Sequence, residues 1–201
     1  KTPGDIKVSI VPFAVDVNAG TGNVDATWID WTDWDAANGD CSKTSYNSKS
    51  SCNSNGGTWT PKNHSVWNGC VNDRDQNNDV TNTPTGSGEA TKYRAHQASA
   101  CPAAMMTLSS DWTGMHSRID AMAPAGNTNV TIGLQMAWQT LSNNAPFNAP
   151  AKDPNYTYKD AIILLSDGLN TQNRWYSSAN QIDTRQRTLC DNAKAAGITI
   201  Y

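Results

Sequence analysis

Two oxygen-bearing side chains stand where this chain could hold a hard cation. Asp167 follows the apolar run Ala161-Ile162-Ile163-Leu164-Leu165 and sits between Ser166 and Gly168, and Thr128 lies in the turn Gly126-Asn127-Thr128-Asn129 that opens a helical pattern. A carboxylate and a hydroxyl are hard donors, suited to Mg²⁺, Mn²⁺ or Ca²⁺ and poorly suited to copper or a structural zinc. Both residues also have plain structural uses, Asp before Gly as a turn former and Thr as a hydroxyl at a helix start, so their types alone leave both readings open. A second acidic series, Asp73-x-Asp75-x-Asn77-x-Asp79, begins like a calcium loop. It has Asn78 where the sixth position needs Gly and Pro84 where the twelfth needs Glu, so a solvated acidic turn is expected. His64, His96 and His116 lack metal-ligand spacing, and neither a Gly-x-Ser-x-Gly elbow nor a phosphate loop occurs. Hydrolytic chemistry would need the fold to bring one of these histidines into a cleft beside a carboxylate.

Periodicity gives the elements that must position Thr128 and Asp167. Val130, Leu134, Ala137, Trp138 and Leu141 recur at i, i+4, i+7, i+8 and i+11 and predict a helix beginning just past Thr128. The run Ala161 to Leu165 has the character of a central parallel strand covered on both faces, ended by Ser166-Asp167-Gly168. A polar helix through Leu189 and Ala193 stops at Gly197, and a last strand follows to Tyr201. Upstream, alternation of Val8, Ile10, Phe13, Val15 and Val17 predicts a strand over 7–17 with an irregularity at Pro12. Ala104 to Leu108 suits a short strand, and Ser110 is the expected N-cap of a helix burying Met115, Ile119 and Met122. Strands alternating with helices imply a parallel sheet with right-handed crossovers, an α/β fold that binds ligands beyond the carboxyl ends of its strands.

Residues 18–100 differ in character, being rich in Asn, Ser, Gly, Thr, Asp and Trp with little periodicity. They read as an elaborated, cross-linked insertion rather than a second core, docked by the local cluster that Trp28, Trp31 and Trp34 would form at their three-residue spacing. With 201 residues there is room for one domain. A net charge of −3 supplies no basic field for a phosphate backbone, which argues against a nucleic-acid partner. The longest apolar run is far short of the roughly 18 residues of a membrane span. Five cysteines without a Cys-x-x-Cys pair indicate disulfides and an oxidising compartment, with one thiol left over.

Ala161-Ile-Ile-Leu-Leu-Ser-Asp-Gly168 resembles the strand and Ser/Thr-Asp-Gly turn of von Willebrand factor type A (VWA) domains, and Gly126-Asn-Thr-Asn129 resembles their metal-binding Thr loop. Val8-Ser-Ile-Val-Pro-Phe13, Trp67-Asn-Gly-Cys-Val-Asn-Asp-Arg74, Cys101-Pro102 and Cys190 followed by Lys194-Ala-Ala-Gly-Ile198 are similar to the VWA region of TadG-like proteins of Flp/Tad pilus assembly. The resemblance implies a Rossmann-type three-layer sandwich with a mostly parallel sheet, residues 1–201 forming one such domain, as a fragment lacking the first strand and helix. It also implies a metal-ion-dependent adhesion site, with Thr128 and Asp167 as metal residues and Gly126, Asn127, Asn129, Ser166 and Gly168 in the binding loops. The family's Asp-x-Ser-x-Ser element is missing; Asp40-Cys-Ser42-Lys-Thr44 matches its letters only, so a divalent cation (Mg²⁺, Mn²⁺ or Ca²⁺) would be held weakly or not at all. The implied function is non-enzymatic, a periplasmic or cell-surface domain that binds protein partners of the envelope or pilus, with any membrane contact made through a segment outside this chain. A metal-free structural module is the alternative, and an envelope hydrolase the third. Of the three pairings open to Cys41, Cys52, Cys70 and Cys101, the preferred one joins Cys41 with Cys52 inside the unmatched part of the insertion and Cys70 with Cys101 around its later part. Cys190 is then the orphan, its partner expected beyond Tyr201.

Overall fold

The computed structural model describes residues 5–86, 88–166 and 168–201. In chain order, β1 (Val8–Ile10), β2 (Val17–Asn18), β3 (Ile29–Asp30), α1 (Thr32–Ala37), β4 (Gly39–Cys41), α2 (Lys49–Ser54), β5 (Trp59–Pro61), β6 (Cys70–Asn72) and β7 (Tyr93–Ala95) lead into the second half. There, β8 (Met106–Ser109), α3 (Trp112–Asp120), α4 (Val130–Thr140), β9 (Ala161–Ile162), α5 (Ala179–Ala195) and β10 (Thr199–Ile200) complete the chain. The fold is mixed α/β. β9 and β10 pair in parallel across the α5 crossover, whereas β1 and β8 pair antiparallel.

α4 is the axis of the molecule. Ten of its eleven residues are buried, apolar groups on two sides and the polar Thr131, Gln135, Gln139 and Thr140 between them. Ile132 and Met136 face a cluster with Val17, Ile29, Trp34, Trp67, Val71 and Tyr93. Val130, Leu134 and Trp138 face another with Ile162, Leu189, Ala193 and Ile198. Phe13 touches both, and it approaches so closely that a Cβ on Gly133 would lie 2.6 Å from its ring, which explains a glycine where the helix would otherwise lose about 1 kcal/mol relative to Ala.

Several expectations are corrected here. The alternating run over 7–17 is not one strand: Phe13 bridges back to Val17 and the Ala14 N–H donates to the Asp16 carbonyl at 2.9 Å, so the chain reverses after Pro12, which has no N–H to continue a ladder. Residues 18–100 do contain a core. They supply most of a four-stranded sheet ordered β2-β6-β7-β3 and most of the Trp34, Trp67, Tyr93 cluster, because buried aromatics need little periodicity to fill a core. α3 is capped by Asp111, whose Oδ1 accepts from the Gly114 N–H at 3.0 Å, rather than by Ser110. Met115 is buried on this helix while Ile119 and Met122 are exposed.

The apolar run at β9 is covered on one face only. Ile162 packs into the α4 and α5 cluster with Leu164 against it, while Ile163 is 72% and Leu165 83% exposed. The ladder to β10 runs through Asp160, Ile162 and Leu164, by bonds of 2.9 to 3.1 Å to Thr199 and Tyr201. Ala161, Ile163 and Leu165 therefore turn their backbone groups to the other edge. Both disulfides form as preferred, Cys41–Cys52 and Cys70–Cys101, and Cys190 is free and partly buried.

Candidate functional site

The two loops singled out from the sequence meet at one place, at the start of α4 and beyond the end of β9. A Cβ built on Gly168 would lie 3.9 Å from Thr128 Oγ1. Side chains and backbone clamp the loops together: the Thr128 N–H donates to Thr171 Oγ1 at 2.8 Å, the Thr171 N–H returns to the Thr128 carbonyl at 2.9 Å, and Asn127 Nδ2 donates to Gln172 Oε1 at 2.7 Å. Asn170 caps α4 from across this junction, its Oδ1 accepting the buried Val130 N–H at 2.8 Å while its amide donates to Asp183 and Gln186 of α5. The helix start that carries Thr128 is thus held by the loop that carries Gly168, an arrangement a helix N-terminus needs because its first N–H groups have no partner within the helix.

Gly126, Asn127, Ser166 and Gly168 are exposed and Thr128 half-buried, while Asn129 is fully buried. Gly126 has φ +77°, a left-handed conformation that glycine adopts freely. Asn129 serves as an anchor: its N–H donates to the Ala14 carbonyl at 2.8 Å and its Nδ2 to both oxygens of Asp73 at 3.1 and 2.9 Å. Asp167 lies outside the described residues. Among the described residues no group of three His, Cys, Asp or Glu side chains is placed to hold a metal ion. The described side-chain donors on the two loops include the hydroxyls of Thr128, Ser166 and Thr171 and the amide oxygens of Asn127 and Gln172. These are neutral, so a divalent cation would depend on carboxylates beyond this set.

Behind the loops the series Asp73 to Asp79 is corrected from a solvated turn to a buried ionic framework. Asp73 is 2% exposed, and besides Asn129 it receives the Arg174 N–H at 3.1 Å. Burial pushes its carboxyl up to about 7, against those two hydrogen bonds, with Asp79 and Asp16 adding repulsion. Arg74 is fully buried over the ring of Tyr93 and donates to the carbonyls of Thr83, Asn78 and Thr81 at 2.6 to 2.7 Å. Asp75 accepts from Arg94 and Arg174, which outweigh burial and lower its pKa; Asp79 is bound to Arg185 of α5, yet burial raises it. These pairs tie the insertion to the loop pair, and the sequence showed only their acidic spacing, with nothing to indicate the arginines 19 to 106 residues away.

Two histidines found carboxylates. His64 Nε2 lies 2.7 Å from Asp35 Oδ1, with its ring stacked on Trp31 at 3.7 Å, and His96 Nδ1 lies 2.8 Å from Asp16 Oδ1. His96 and Asp16 line a cleft of about 190 Å³ that also takes in Gly126, Asn127 and Gln172. Asp16 carried no sequence signal, being one polar residue in an alternating run. Comparison of the chain with known protein families, curated proteins and solved structures gave no match.

Proposed function

We propose that this chain is a protein-interaction domain of the cell envelope, of VWA type and serving pilus assembly or adhesion, whose binding surface is the loop pair around Thr128 and Gly168. The observation that carries the reading is the clamping of these two loops at the start of α4, beyond the carboxyl end of a parallel strand. The parallel crossover pair β9–β10 and the packing of α4 and α5 against β9 support a layered α/β arrangement of this type. Two disulfides are compatible with a periplasmic or surface location, and no helix among the described residues is long and apolar enough to cross a membrane.

In this reading Thr128 holds the ion directly, Asp167 holds it directly or through water, and a carboxylate of the partner completes the shell. Calorimetric titration with Mg²⁺, Mn²⁺ and Ca²⁺ tests it: weak one-site binding abolished by Thr128→Ala supports the ion, and heats that are the same in wild type and variant refute it. The missing Asp-x-Ser-x-Ser element of this sequence favours a second reading, a metal-free module that uses the same surface. Partner binding that survives both EDTA and the Thr128→Ala, Asp167→Ala pair would establish that one instead.

A further inference from the structure

The cleft beside the loop pair contains a side-chain arrangement that an interaction surface does not require. Asp16 is almost wholly enclosed, its side chain 5% exposed, and its Oδ1 meets His96 Nδ1 at 2.8 Å while the imidazole remains 48% exposed. A ring nitrogen committed to a buried carboxylate fixes the tautomer with the proton on Nδ1, leaving Nε2 as the lone-pair nitrogen for the cleft that the residue lines. The hydrogen bond that His96 Nδ1 donates to Asp16 raises the pKa of His96, against partial burial. The charged groups behind the ring are acidic, Asp16 itself and Asp73 within electrostatic range of Asp16, so positive charge developing on the imidazole is favoured and an anionic ligand is not. The volume of about 190 Å³ holds about six waters, or a small acyl group with its attacking water. Ser99 and the joined amides of Asn127 and Gln172 put hydrogen-bonding groups on the wall.

We propose that the Asp16–His96 cleft is a general-base site that hydrolyses small uncharged esters. Water in the cleft gives one proton to His96 Nε2 as its oxygen bonds to the ester carbonyl carbon. The bond from that carbon to the alkoxy oxygen then breaks, and the leaving oxygen takes the proton back from Nε2, so the products are the acid and the alcohol and the imidazole is regenerated. Asp16 orients the ring and stabilises the transient imidazolium, as the carboxylate of a catalytic triad does. The activity is independent of any ion at Thr128.

The protein carries its own controls. His64 is also paired with an aspartate, but through Nε2 and with its ring on Trp31, and His116 lies exposed on α3. The experiment is the release of p-nitrophenol from p-nitrophenyl acetate between pH 6 and 9. The expected result is repeated, saturable turnover that rises with pH through one ionisation and falls about 100-fold in His96→Gln. Asp16→Asn should lower the rate and move the midpoint to lower pH, while His64→Gln and His116→Gln leave both unchanged. Near-UV circular dichroism of each variant and rescue of His96→Gly by added imidazole separate loss of the base from loss of the fold. The proposal is overturned by a rate no greater than that of free imidazole at equal concentration, by release that stops at one equivalent per chain, or by undiminished turnover in a folded His96→Gln protein.

Discussion

Replacing Asp73 by Asn should change how stability depends on pH. Asp73 is a carboxylate only 2% exposed in the framework behind the loops, and among the described residues its donors are neutral, Asn129 Nδ2 and the Arg174 N–H; the Arg174 guanidinium goes instead to the Asp73 carbonyl and to Asp75. With no cation on the carboxylate among the described residues, burial dominates, and its pKa stands at about 7 against 3.8 for the free side chain. Between those two values the folded state holds a proton that the unfolded chain has lost. Stability contributed by this group is therefore complete below pH 4 and declines as pH rises, by about 1.4 kcal/mol per pH unit, to a total of about 4 kcal/mol at pH 8. That is a large share of the roughly 5–15 kcal/mol that holds a domain together. Asn keeps the shape and never ionises, and its amide can turn to Asn129 Oδ1, a buried oxygen without a partner among the described residues. Urea unfolding followed by tryptophan fluorescence at half-unit steps from pH 4 to 8 gives the difference curve, in which His96 and the other titrating groups cancel. The expected difference, Asp73→Asn minus wild type, rises by about 4 kcal/mol across that range. A flat difference, or one that falls with pH, would show that the carboxylate is comfortably charged and that the account of its burial is wrong.

Asn170→Ala should cost about 1–3 kcal/mol in denaturant unfolding, since it leaves the buried Val130 N–H unpaired, and it should weaken any ligand that uses Thr128; stability within about 0.5 kcal/mol of wild type would mean that the cap is dispensable. Opening Cys70–Cys101, which spans 31 residues, by a Cys70→Ser, Cys101→Ser pair should cost about 4 kcal/mol, measured the same way under oxidising conditions. Ile163→Ser with Leu165→Ser should raise solubility and change stability by less than about 0.5 kcal/mol, because both side chains are exposed; a larger loss in thermal unfolding would show that this face is covered in the folded chain.

The half of the chain with regular periodicity was the legible half. The spacing from Val130 to Leu141 specified α4, and the apolar run ending at Ser166-Asp167-Gly168 located a parallel strand and the turn beyond it. Thr128 of the one turn and Gly168 of the other segment then met in space. What escaped was whatever depended on distant partners. Nothing near Asn170 in sequence shows that it caps a helix beginning forty residues earlier, and the alternation from Val8 to Val17 could not reveal that Pro12 turns the chain back and buries Asp16 beside His96. The insertion concealed its sheet because its strands are two or three residues long, too short for a period to register, and because Trp34, Trp67 and Tyr93 build their core by size rather than by pattern.

The claim that the two loops form a single binding surface is tested most directly by titrating the isotope-labelled protein with Mn²⁺ and following paramagnetic broadening of its amide resonances. The account predicts selective broadening at Thr128 and at Gly168 together, reversed by EDTA and lost in Thr128→Ala. Broadening centred away from these two residues, or equal in wild type and variant, would contradict it.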